Sequence, residues 1–277
     1  MEKSKKSRAS FLTSTVGGCG EACIWATEGV LYEVVDGEAH VVEYEGASKH
    51  VYIAETYCGI PVTTIRSQAF YNCNSLRSVS IPDSVTTIGD LAFADCRNLT
   101  SANIPSGVTT IGNYAFENCG SLTRITVNEK NTVYQSIDGN LYSKDGKTLI
   151  QYAIGKTATS FTIPSGVTTI CDGAFYGCSG LTSVSIPSSV TTIGDLTFTY
   201  CKNLTSLIIG NAVVSIGEYA FVCCDSLTIY CEGESMPSGW DSSWNDSSRP
   251  VYWYRENEPT NTGKYWHYDE DGNVVVW

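Results

Sequence analysis

The string Phe-x-x-Cys-x-x-Leu occurs six times, at Phe70/Cys73/Leu76, Phe93/Cys96/Leu99, Phe116/Cys119/Leu122, Phe175/Cys178/Leu181, Phe198/Cys201/Leu204 and Phe221/Cys224/Leu227. Successive copies stand 23, 23, 59, 23 and 23 residues apart. A period of this size restricts the fold severely, because one unit cannot bury its own apolar side whereas stacked units share a core. Two further strings keep step with the first. Val-Thr-Thr-Ile recurs at Val62, Val85, Val108, Val167 and Val190, and Ile-Pro at Ile81, Ile104, Ile163 and Ile186. Although 277 residues would hold two average domains, the repeats predict one solenoid, mostly β with short helical turns.

Each part of the unit has a physical reading. Val79 and Ile81 are two residues apart, the strand period, so they point inward while Ser78 and Ser80 point out. Pro82 lacks an N–H and ends the ladder. Ala92-Phe93 followed by Leu99 fits a short helical turn with the ring inside. The six ladder cysteines occupy one place in successive coils, where neighbouring Cβ vectors run parallel. A disulfide needs Cβ atoms facing each other at about 3.5 to 4.5 Å, so reduced, buried thiols are expected. Adjacent threonines such as Thr86 and Thr87 point to opposite sides of a strand, which makes them structural ladders rather than a binding array.

The three strings in their order closely resemble the BspA-type leucine-rich repeats of bacterial and some protist surface proteins. The resemblance runs over residues 51–231 and more loosely over both flanks. It implies a non-enzymatic scaffold, with no catalytic residues to transfer, and a surface or secreted location. Residues 1–18 then form a flexible basic N-terminus, 19–50 an N-terminal cap, 51–231 the solenoid and 232–277 an aromatic C-terminal cap. The N-terminal cap is expected as a hairpin through Asp36-Gly37, preceded by Trp25, with Cys19, Cys23 and Cys58 as candidates for pairing. Between Val127 and Ile163 lie 13 residues more than one coil requires. Two Asp-Gly turns there predict an enlarged hairpin coil over about 128–163 in place of the helical turn. Ala102 stands at the site of Val79 and Thr197 at that of Ala92, so these coils should pack slightly less well.

Charge removes several functions. Asp plus Glu number 29 against 17 Lys plus Arg, a net charge of −12 that opposes phosphate binding. Nucleic acid is excluded as a partner. No apolar run approaches the length of a membrane span, and the segment after Arg8 is too short and too hydroxylated for a conventional signal peptide. No metal or other cofactor is expected: the three histidines are scattered, no Cys-x-x-Cys occurs, and Asp269-Glu270-Asp271-Gly272-Asn273 reads as a hairpin turn. No nucleophile motif is present. A monomer is expected.

Recognition is therefore sought on surfaces. Outward columns of the main sheet run His50, Ser78, Ser101, Arg124, Ser160, Ser183, Ser206 and Tyr52, Ser80, Asn103, Thr126, Thr162, Ser185, Ile208, Tyr230. Small hydroxyls dominate them, leaving Tyr52, Arg124, Ile208 and Tyr230 as candidate anchors for a protein or polysaccharide ligand. The alternative is a carbohydrate- or cell-wall-binding module using Tyr265, Trp266, Tyr268 and Trp277, since aromatic faces hold apolar sides of ligands.

Overall fold

The structure is a computed structural model that describes residues 26–260 and 262–277. Cys19, Cys23, Trp25 and the basic stretch 1–18 lie outside the described residues. The chain winds as a β-solenoid. One face carries the parallel strands His50–Tyr52, Ser78–Ser80, Ser101–Ile104 and Arg124–Val127, and, after a break, Ser160–Thr162, Ser183–Ile186, Ser206–Ile209 and Thr228–Cys231. A second face carries the Val-Thr-Thr-Ile segments as short strands, from Ile60–Ile65 to Ser215–Ile216. Equivalent residues stand opposite each other, Val51 to Val79 and Val79 to Ala102, because a period of one coil keeps every apolar column in register. The first threonine of each pair ties coils together: Thr86 Oγ1 donates to Thr63 O at 3.2 Å and Thr191 Oγ1 to Thr168 O at 3.2 Å.

The third face corrects the sequence reading. No helix forms among the described residues. Instead the backbone alternates. The N–H groups of Gln68, Phe70 and Asn72 donate across to the carbonyls of Asp90, Ala92 and Ala94 in the next coil, at 2.9, 2.8 and 2.9 Å. Those of Ala69, Tyr71 and Cys73 donate back three residues. A helix would aim every N–H along its own axis and leave the coils unbonded on this side. The alternation requires left-handed residues at two columns, Gln68/Asn72, Leu91/Asp95, Tyr114/Asn118, Leu196/Tyr200 and Tyr219/Cys223. Each non-glycine there costs about 1–2 kcal/mol, offset by inter-coil hydrogen bonds that satisfy buried donors.

Inside this ribbon the Phe rings stack. Phe70, Phe93 and Phe116 follow one another at 5.0 and 5.5 Å, with Tyr44 of the N-terminal cap 5.4 Å from Phe70. Tyr152, Phe175, Phe198 and Phe221 form a second stack at 5.1, 4.8 and 5.5 Å, closed edge-on by Trp244. Thr197 is fully enclosed, and its hydroxyl donates to Gly194 O at 2.6 Å, so the polar group is not left unpaired.

The enlarged coil divides the molecule. Tyr134–Ile137, Asn140–Ser143 and Thr148–Gln151 form an antiparallel meander, turning first through Asp138-Gly139, both left-handed. Its last strand pairs onward with Thr169–Ile170, and neither sheet face runs unbroken past it. The expected single core is accordingly two apolar clusters, one ending at Leu141 and the other beginning at Tyr142. Of the ribbon, the enlarged coil keeps Tyr152, whose N–H donates to Ala174 O at 2.9 Å, and side chains of segment 114–118 reach segment 173–177. A Cβ on Gly173 would fall 2.5 Å from the Tyr114 ring and one on Gly177 2.9 Å from Asn118 Oδ1, so the two glycines leave room for these side chains.

The caps are hairpin-based at the start and sheet-extending at the end. Val30–Val35 and Glu38–Tyr44 pair antiparallel through Asp36-Gly37. Cys58 is disulfide-bonded, and every other described cysteine is a free thiol. Trp240 and Trp244 cover the C-terminal end of the core, with Trp240 Nε1 donating to Val213 O at 3.0 Å. Val251–Tyr254, Tyr265–Tyr268 and Val274–Val276 then prolong the main sheet. The turn before the last strand is held by Asp269, whose Oδ1 accepts from the N–H groups of Asp271 and Asn273. Among the described residues, no helix is long and apolar enough to cross a membrane.

Candidate functional site

The outward columns hold in register within each half but not across the molecule. His50, Ser78, Ser101 and Arg124 stand side by side, as do Ser160, Ser183 and Ser206. Arg124 does not adjoin Ser160. Ile125 N–H donates to Gly139 O at 2.7 Å, so the Asp138-Gly139 turn takes the edge where another strand would lie. The four anchor residues are thereby separated: Tyr52 and Arg124 belong to the first sheet, Ile208 and Tyr230 to the second. Tyr230 also does not close its sheet, since three more strands follow it.

That extension creates a site. Ile208, Tyr230 and Tyr252 are consecutive in one outward column. The Tyr230 and Tyr252 rings stack at 5.6 Å. Tyr230 also meets Trp266 edge-on at 5.7 Å, and Trp266 in turn meets Tyr254 at 5.5 Å and Tyr268 at 4.7 Å. Half of the sheet-face prediction and half of the C-terminal aromatic prediction thus form one contiguous aromatic platform. Lys264 Nζ lies 5.9 Å from the Tyr252 ring centre, and the Tyr268 hydroxyl donates to Glu232 Oε1 at 2.9 Å, so opposite charges border it. Burial, and then the Glu232 carboxylate, raise the Tyr268 phenol; burial raises that of Tyr230 as well, keeping both neutral.

One predicted contact residue is corrected. Trp266 is 0 % exposed, with its indole N–H donated to Cys231 O at 3.0 Å, and cannot present a face to a ligand. It is the base on which the tyrosines rest. Tyr265 and Trp277 group apart from the platform, where Arg255 lies 5.2 Å from the Tyr265 ring centre and Trp277 stacks on His267 at 3.8 Å. Tyr252 and Tyr254 escaped the sequence reading. Their signal was the alternation in Val251-Tyr252-Trp253-Tyr254, which the abundance of nearby aromatics obscured.

The repeat region matches the BspA type leucine rich repeat description in six copies, over residues 52–157 and 152–236. Among solved structures, the leucine rich repeat protein of T. pallidum is similar at 26% identity with a TM-score of 0.49, covering 73% of this chain and 89% of that one. The pneumococcal vaccine antigen PcpA is similar at 20% identity and a TM-score of 0.48, covering 76% of this chain and 72% of that one. A leucine rich cell surface protein from Faecalibacterium prausnitzii is similar at 21% identity and a TM-score of 0.43, covering 86% and 98% respectively. No curated protein matches. With the repeat strings, the stacked coils and the matched residues in agreement, the chain belongs to the BspA type leucine rich repeat family.

Proposed function

We propose that the chain is a non-enzymatic binding scaffold that engages a protein or glycan at a bacterial surface, in an adhesive or host-contacting role. The contact surface is the platform of Ile208, Tyr230, Tyr252, Tyr254 and Tyr268. The observation that supports this reading is the contiguity of those rings over buried Trp266. Rigid tyrosines offer large apolar area with few rotamers to freeze, whereas each serine of the adjoining columns is already hydrated and gains little on contact. Tyr52, at 57% exposure, and Arg124 sit on the other sheet and serve as the internal comparison.

The test is an array of extracellular-matrix proteins and bacterial cell-wall polysaccharides probed with the full chain. Replacing Tyr230 and Tyr252 together by serine should weaken the strongest contact by about thirtyfold, the effect of losing one hot spot of about 2 kcal/mol. Replacing Tyr52 and Arg124 should leave it within about twofold. The opposite pattern would transfer the site to the first sheet, and loss only on changing Tyr265 and Trp277 would transfer it to the C-terminal edge.

A further inference from the structure

The meander that interrupts both sheets also opens the turn face. Where segment 114–118 abuts segment 173–177, a groove of about 520 Å³ forms, within the usual size of ligand clefts. One wall is polar and pre-set: Asp95 Oδ1 accepts from Arg97 Nη2 at 3.1 Å and from Asn118 Nδ2 at 2.6 Å. The facing wall is aromatic. Tyr176 and Tyr200 meet edge-on at 5.5 Å, Tyr200 is 43% exposed, and Lys202 Nζ lies 5.9 Å from the Tyr200 ring centre. The lining includes Gly120, where an added Cβ would meet nothing within 4 Å, so the backbone there is open to close approach.

We propose that this groove binds a short saccharide segment. A pyranose presents an apolar C–H face and a rim of hydroxyls that both donate and accept. Tyr200 offers a ring to the first, and Asp95, Asn118 and Arg97, held in place by one another, offer planar polar groups to the second. A bare anion would engage Lys202, since the Arg97 charge is already paired with Asp95, and would leave the Tyr176 and Tyr200 rings uncovered. A protein partner would require larger apolar anchors than this polar wall presents. The inference is independent of the platform around Tyr230, from which these residues are distinct.

Titration calorimetry of the full chain with cellotetraose, maltotetraose and tetragalacturonate tests it. Two variants address the groove. Tyr200→Asn removes the ring at a left-handed residue, where asparagine is tolerated and already stands in the equivalent column at Asn72 and Asn118. Gly120→Gln narrows the groove at an exposed position where an added Cβ meets nothing within 4 Å, and keeps the test valid if the first variant unfolds. At least one tetrasaccharide should bind the wild type, and each folded variant should weaken it by about tenfold or more while Tyr52→Ala, on the first sheet and outside both surfaces, does not. No binding by any of the three sugars, unchanged affinity in both variants, or loss on Tyr252→Ala alone would each overturn the proposal. So would a matrix protein captured through Tyr200 by a chain that ignores all three sugars.

Discussion

At Cys96 the side chain does two things that serine or valine would each do by half. It fills dry space as a small apolar group, and its S–H donates to Phe70 O at 3.1 Å in the preceding coil. Cys119, Cys201 and Cys224 repeat the bond to Phe93, Phe175 and Phe198 at 3.2, 3.2 and 2.9 Å. Burial pushes the thiol of Cys119 up to about 12 and that of Cys178 to about 11. The nucleophilic thiolate is therefore suppressed at these two positions in the folded protein. Cys96, Cys119, Cys178 and Cys201 should resist alkylation until denaturant is added, whereas Cys73, half-buried and not fully enclosed as the repeat spacing predicts, should react first; mass spectrometry should find no Cys73–Cys96 crosslink in the native chain. The same shifts set an alkaline limit. Above the ordinary thiol value near 9 the unfolded chain releases protons that the folded chain keeps, so stability falls as pH rises. Each such thiol contributes about 1.4 kcal/mol per pH unit until its folded value is reached. Melting curves between pH 8 and about 11 would show this decline, and a flat profile would mean that the thiols ionise freely in the fold. The ladder itself was legible in the sequence, since a residue recurring once per coil must form a column. The direction of its S–H bonds was not, because a donor that weak leaves no mark on spacing.

On the scale of elements, the turn ribbon shows where sequence periodicity stops being informative. Ala92-Phe93 and Leu99 suit a helical turn and a stacked ribbon equally, because spacing does not report the sign of φ. The usable signal was elsewhere: Asn72, Asp95, Asn118 and Gly177 share one column, and asparagine, aspartate and glycine are the residues that accept left-handed backbone. Gly173 carries the strictest demand, with φ at 60° and the Tyr114 ring against its Cα. Gly173→Ala should cost about 1–3 kcal/mol, strain and steric displacement combined, and urea titration would measure it. A smaller cost would mean that Tyr114 can swing aside. The meander was readable from its Asp-Gly pairs and surplus length, but its interruption of both sheets was not, since that depends on which edge its strands leave unpaired. The platform was likewise half legible. Tyr230 followed from its column and Trp266 from its aromatic surroundings. Their contact depends on Val251–Tyr254 pairing in parallel with Thr228–Cys231, and that strand carries no repeat string.

The whole molecule behaves as two stacks that meet within one strand. The apolar cluster from Val30 to Leu141 and the cluster from Tyr142 to Trp244 have separate ring ladders, the first ending at Phe116 and the second starting at Tyr152. In such arrays stability is a sum over coils and the interfaces between neighbours, so damage stays local. Phe93 is fully buried between Phe70 and Phe116, and Phe93→Ala should cost about 3 to 5 kcal/mol of the first stack's stability. Calorimetry of the variant should then resolve two transitions. Tryptophan fluorescence should follow the later one, because five of the six tryptophans lie at Trp240 and beyond. A single transition, lowered as a whole, would show that the meander couples the halves. The hydrogen bonds that join each coil only to its neighbours also make the molecule a ruler. The turn-face groove and the tyrosine platform are fastened to different rungs, so their separation is set by how many rungs lie between them. Splicing one more 23-residue unit directly after Leu204 would leave every column intact and carry the platform, Ile208 included, about 4.8 Å farther along the axis, a graduated gauge for any ligand long enough to grip both marks.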